Sequence, residues 1–326
     1  MLMSINLIGN LMKIDVHQHL WTEPLVQALA DRSELPFVRR ENGLTVLYLV
    51  GERPYVIDLA SEAPERRAQL VELDGLDRAL VCLSSPLGIE WLPREQSLDL
   101  IDAFHEGALA LEGPFGVWGA IALDRVDPDD VDRALARGCV GVSLPAGALA
   151  SVEAIANLRL VLERLDACGA ALLVHPGPRA SVGPSRPAGE SSLGDPLWWP
   201  ALTGYVAGMQ AAWLAFLSAG RPRHPGLRVV FSMLAGLAPL HHERLASRGG
   251  PCAPPVDPLV FYETSSYGPA AVRVLEQLVG PEQLLYGSDR PVVEPGELGM
   301  PHGLDWGPVV ECTRRALGTP QLEMAR

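Results

Sequence analysis

Short apolar runs alternate along the chain with longer stretches of helical periodicity. The runs 13–18 (KIDVHQ), 79–84 (RALVCL), 116–122 (GVWGAIA), 139–144 (CVGVSL), 171–175 (ALLVH), 228–232 (RVVFS), 260–264 (VFYET) and 284–287 (LLYG) predict strands. Their near-continuous apolar character is that of strands covered on both faces. Amphipathic spacing predicts helices over 63–76, 95–112, 129–137, 152–168, 201–219, 237–247, 269–279 and 306–317. Eight such βα pairs imply an α/β fold, a closed (β/α)8 TIM barrel forming one domain over residues 1–326. An open doubly wound sheet is the alternative, but no G-x-G-x-x-G follows the first strand. Residues 21–62 form a small N-terminal excursion, with LTVLYLVG as an extra strand.

Composition narrows the partners. With 48% hydrophobic residues the chain can build a large core, and its formal charge of −13 comes without any basic cluster. Nucleic acid and anionic membranes are held by Lys and Arg, so neither is an expected partner. A small-molecule substrate is, and a homodimer is compatible with the sequence. The five cysteines (Cys82, Cys139, Cys168, Cys252, Cys312) are scattered, with no C-x-x-C pair, and read as reduced thiols. No basic residue precedes the apolar opening stretch, so a cytoplasmic location is expected. No run is long enough for a membrane span.

In a parallel barrel the active site lies at the C-terminal ends of the strands. Strand 1 delivers His17 and His19, which share a face because side chains alternate along a strand. Strand 5 delivers His175, and strand 8 delivers Asp289. Any one of these is compatible with a satisfied core or surface residue. Three imidazoles and a carboxylate at one barrel mouth point to a single divalent metal, zinc first, with Mn²⁺ or Fe²⁺ tolerated.

The stretches IDVHQHLW, LLVHPGP, GLRVVFSMLAGLAP and LLYGSDRP resemble, in order and spacing, the amidohydrolase superfamily. The resemblance is to its amidohydrolase-related branch, which includes aminocarboxymuconate-semialdehyde decarboxylase and hydroxybenzoate-type decarboxylases. It implies that His17, His19, His175 and Asp289 bind one metal and that Asp289 also handles protons. The family's strand 6 usually ends in a histidine followed by two glycines. Here Met233 takes the histidine position and Ala235 that of the first glycine. His241 and His242 come about two helical turns later, too far to substitute. Binuclear members use a carboxylated lysine at the end of strand 4, but Lys13 is the sole lysine of this chain, so one metal is expected.

The same ligands serve two reactions. With bound water, Asp289 takes and returns a proton to hydrolyse an amide, lactam or cyclic ester, the first reading. With a substrate carboxylate or phenol oxygen bound, Asp289 protonates the carbon that loses CO₂, the second. A metal-poor binding protein that has lost activity is the third, motivated by Met233. Arg179, Arg244 and Arg290 are candidates to hold a carboxylate. Two long loops, 176–200 and 290–303, are expected over the mouth, bringing Trp198 and Trp199 as apolar lining and His302 as a substitute base. Met233 itself is expected on the pocket wall.

Overall fold

A computed structural model describes residues 12–50, 52–177, 196, 198–250, 256–293 and 304–318. Strand β1 (Ile14–Gln18) leads through helix α1 (Glu23–Ala30) into an antiparallel sheet of β2 (Phe37–Glu41), β3 (Leu44–Tyr48) and β4 (Tyr55–Ile57). The excursion is thus three strands where the sequence pattern predicts one. Its outer faces are half-exposed, which dilutes the apolar signal of β2 and β4.

Helix α2 (Pro64–Leu73) returns the chain to β5 (Arg78–Val81), followed by α3 (Arg94–Leu109), β6 (Phe115–Val117), α4 (Asp129–Ala136) and β7 (Gly141–Pro145). Then come α5 (Val152–Asn157), α6 (Arg159–Cys168), β8 (Ala171–His175), α7 (Val206–Ala215), β9 (Val229–Phe231) and α8 (His242–Ser247). Strand β10 (Val260–Glu263), α9 (Pro269–Val279), β11 (Leu284–Leu285) and α10 (Trp306–Leu317) complete the order.

All the barrel pairings are parallel. One sheet runs β1-β5-β6 and the other β7-β8-β9-β10-β11. Backbone hydrogen bonds close both gaps. Between β6 and β7, the amides of Val140, Gly119 and Ser143 donate to Val117, Gly141 and Gly119 at 2.8–2.9 Å. Between β11 and β1, Val16 donates to Tyr286, Asp289 to His17 and His19 to Arg290 at 2.7–2.9 Å. The eight strands therefore form a closed ring in chain order.

The interior is filled by Leu80, Cys82, Trp118, Val140, Leu173, Val230, Phe261 and Leu285, while the outward faces pack on the helices. Trp118 spans the barrel and donates its indole N–H to the Val16 carbonyl at 2.9 Å. Gly141 makes room for it, since a Cβ there would meet the ring at 2.8 Å and collide with the Ala171 carbonyl.

Two predicted helices differ from the pattern. The 152–168 helix breaks at Leu158 into α5 and α6. The start of 237–247 is not right-handed helix: Met233, Leu234, Ala235, Gly236 and Leu237 all have φ between 45° and 62°. One left-handed turn thus follows β9, costing about 1–2 kcal/mol for each non-glycine residue in it. Burial of Leu234 and Ala235 and a 2.8 Å bond from Gln210 Nε2 to the Gly236 carbonyl hold it in place. A Cβ on Gly236 would meet the Val206 carbonyl at 2.8 Å, so glycine is required there.

Candidate metal centre

Strand β1 reaches the mouth through a bulge. Asp15 pairs with Ala79 and Gln18 with Val81, so three residues of β1 pass two of β5. Strict alternation would put His17 on the face opposite Ile14 and Val16. The extra residue lets Ile14 and Val16 fill the interior while His17 and His19 also point inward. Asp15 pins the bulge by accepting the His17 amide at 3.0 Å. It also accepts the Ser288 amide at 3.1 Å, which ties β1 to the segment carrying Asp289. Burial pushes the Asp15 carboxyl up to about 6 despite these bonds.

The predicted ligands come together. The rings of His17, His19 and His175 lie 4.7–5.1 Å apart between centroids, all buried. His19 Nε2 is 3.3 Å from His17 Nε2 and 3.1 Å from His175 Nε2. Asp289 Oδ1 lies 3.1 Å from His19 Nε2 and 3.5 Å from His17 Nε2. Asp289 adopts φ 59°, a left-handed conformation that Asp tolerates better than most residues.

The other ring nitrogens fix the tautomers. His19 Nδ1 donates to the Cys82 carbonyl at 2.9 Å, and His175 Nδ1 donates to the Pro176 carbonyl at 2.6 Å. A carbonyl only accepts, so both protons sit on Nδ1. His17 Nδ1 donates to Glu263 Oε2 at 2.9 Å, the carboxylate–histidine arrangement that orients metal ligands. With Nδ1 committed in each ring, the neutral rings would turn three Nε2 lone pairs and a carboxylate oxygen toward one point. Such a cluster is stable around a cation. Zn–N bonds of about 2.0–2.1 Å at the tetrahedral angle put neighbouring ligand atoms about 3.3–3.4 Å apart, and the observed spacings bracket that. The donor set fits a divalent metal.

The charges agree. Burial works against a protonated His17, yet Asp289 and Glu263 outweigh it and hold its pKa well above the usual imidazole range. His19 is carried up to about 9 against the same burial, by Cys82 and Asp289. Burial, then the neighbouring His17 and His19, keep His175 well below its ordinary value. Asp289 stays ionised despite burial because His17 and His19 face it. The cluster attracts positive charge but has no room for three protonated rings.

Other expectations fare differently. Met233 is buried behind the cluster, its amide 3.4 Å from Glu263 Oε2. Arg244 is exposed on α8, outside the buried cluster, because the left-handed turn directs that short helix to solvent. Arg290 is buried and bonded to Asp74 at 2.9 Å. Trp198 and Trp199 are 55% and 43% exposed, tilted against each other at 5.7 Å, rather than buried lining. His241 is exposed as well. Arg179 and His302 lie outside the described residues.

Sequence reasoning missed Glu263, whose strand VFYET carries no histidine to draw attention to it. Cys82, one of the thiols read as reduced, lies beside the cluster with its Sγ 3.6 Å from His19 Nδ1.

No protein-family model matches the chain, and no curated protein matches it in sequence. Solved structures do. The apo IDCase of Metarhizium anisopliae superposes with a TM-score of 0.67 at 17% identity, over 97% of this chain and 94% of that one. An amidohydrolase II structure gives 0.63 at 18% identity, over 96% of each chain. The chain shares the fold of these structures, a parallel (β/α)8 barrel. A third structure of this type is 5-carboxyvanillate decarboxylase from Novosphingobium aromaticivorans, complexed with manganese and 4-hydroxy-3-methoxy-5-nitrobenzoic acid. It gives 0.61 at 13% identity over 96% of each chain.

Proposed function

We propose that the protein is a metal-dependent carboxy-lyase that removes CO₂, without an oxidant, from an aromatic or unsaturated carboxylic acid. The observation that carries this reading is the pairing of Asp289 Oδ1, against the His17 and His19 nitrogens, with Met233 at the end of β9. Hydrolysis, the first reading of the ligand set, would leave Asp289 alone to place and deprotonate the attacking water, since the Met233 thioether has no N–H or O–H to help. Decarboxylation asks only for a polarised substrate oxygen and one proton carrier. The decarboxylase among the structural relatives supports the same choice.

His17, His19, His175 and Asp289 would hold the ion, which supplies Lewis-acid polarisation of a substrate oxygen when bound. The chain's own groups do the rest. Glu263 and the Cys82 and Pro176 carbonyls keep the three Nδ1 protons in place, so no ring can swing or tautomerise. As the bond to the carboxylate carbon breaks and CO₂ leaves, the electron pair stays on the substrate carbon and takes a proton that the ionised Asp289 has first drawn from solvent. One proton from solvent is consumed per turnover.

The test is turnover of protein loaded with Zn²⁺ or Mn²⁺ on hydroxybenzoates and unsaturated acids, with CO₂ release as readout, beside lactone and amide panels. Metal-dependent CO₂ release supports the proposal. Turnover of lactones or amides with no CO₂ from any acid overturns it in favour of hydrolysis. Protein that binds no metal supports the binding-protein reading instead.

A further inference from the structure

The amidohydrolase-type ligand set leaves one donor at the centre unused. Cys82 follows β5 directly, and its side chain faces the barrel interior with Leu80 and Trp118, 1% exposed. Its Sγ belongs to one compact group with His17, His19 and His175, each offering a ligand atom within 4.8 Å of all the others. Sγ is 3.6 Å from His19 Nδ1, a proton already committed to the Cys82 carbonyl at 2.9 Å. The thiol is therefore held beside the imidazoles by its own backbone, since the carbonyl that orients His19 and the sulfur belong to one residue. Asp289 lies toward the mouth and is the more exposed of the two groups.

We propose that Cys82 is a metal ligand, binding through its sulfur from the interior side with His17, His19 and His175. This rests on the reading of the cluster as a metal centre. On coordination the thiol proton leaves to solvent and the sulfur lone pair forms the bond to the metal. The consequence for chemistry is a division of labour. With three nitrogens and a sulfur sharing the ion with Asp289 Oδ1, the metal draws less on that carboxylate, which keeps it available to carry protons. The consequence for selectivity is a preference for zinc, cobalt or ferrous iron over manganese and magnesium, because thiolate is a soft donor.

The experiment loads the full chain with Co²⁺ and records its absorption spectrum and metal content, for the parent, Cys82→Ser and Cys82→Ala. The parent should show a near-ultraviolet thiolate-to-cobalt charge-transfer band that both variants lack while still holding cobalt. Competition should show the zinc-over-manganese preference falling by about tenfold or more in Cys82→Ser. Cobalt bound to the parent without the band, or a band that survives in Cys82→Ser, overturns the proposal and leaves the imidazole–carboxylate centre standing. A parent that binds no cobalt overturns both. Cys82→Ser keeps the size of the side chain, so if Cys82→Ala alone fails to fold, the spectra of the parent and Cys82→Ser still decide.

Discussion

Replacing Glu263 by Gln tests whether the centre depends on the orientation of His17. Both carboxylate oxygens act as acceptors. Oε2 takes the His17 Nδ1 proton at 2.9 Å and the Ser265 hydroxyl at 2.8 Å, and Oε1 takes the Ser265 amide. A glutamine of the same shape has one oxygen and one NH₂. Either the NH₂ faces the Ser265 amide, placing two donors against each other, or it faces His17. In the second case the imidazole must move its proton to Nε2 to accept from it, and a metal ligand is lost. A charge-assisted hydrogen bond of this kind contributes about 1.5–3 kcal/mol. Loss of such a partner weakens metal binding roughly 10–100-fold, or about 1.4–2.7 kcal/mol, so the two figures agree. Chelator competition for Zn²⁺, with circular dichroism as a check on the fold, measures it. Parent-like affinity in a folded Glu263→Gln protein would refute the reasoning.

Two other outcomes follow. Asp289→Asn should keep the fold and cut turnover about 10²–10⁴-fold, read against metal content, and near-parent turnover in the metal-loaded variant would place the proton carrier elsewhere. His105, remote from the centre, is held down to about 4 by burial first and by Arg137 second, and its neutral Nε2 accepts the Ala120 amide at 3.0 Å. Its folded pKa lies below the unfolded value of about 6.5, so its contribution is complete above that pH and is lost as pH falls toward 4. At about 1.36 kcal/mol per unit this is ~2 kcal/mol between pH 7 and pH 5. Urea unfolding at the two pH values should show it, and His105→Gln should flatten the slope by that amount. An equal slope in the variant would show that other groups set it.

The clustered residues were legible because each stands at or just past the end of a strongly apolar strand, where a polar residue is conspicuous and barrel geometry gives it a destination. Barrel order followed from the same pattern, since consecutive βα units leave little topological choice. Glu263 was not legible: a strand-terminal Glu reads as a solvated charge until its long-range partner His17 is known. The β1 bulge escaped because alternation assumes one residue per step, and only pairing with β5 reveals the extra one. The left-handed turn at 233–237 defied propensity, with Leu and Ala where glycine is favoured, and buried packing holds it. The two tryptophans show the opposite error, aromatic character taken as a sign of burial.

The seam between β11 and β1 is where the ring finally shuts, and the candidate ligands stand on both sides of it. His17 lies on the first strand and His19 just after it, and Asp289 lies just past the last. The amides of His19 and Asp289 are themselves donors across that seam. An ion bound there would be a removable rivet joining the two ends of the barrel, worth about 2.7 kcal/mol to the closed ring at a hundredfold excess over its dissociation constant. Opening the seam pulls the ligand set apart, so metal escape and barrel breathing become one event. Deuterium uptake at these two amides becomes a clock for how long the ion stays.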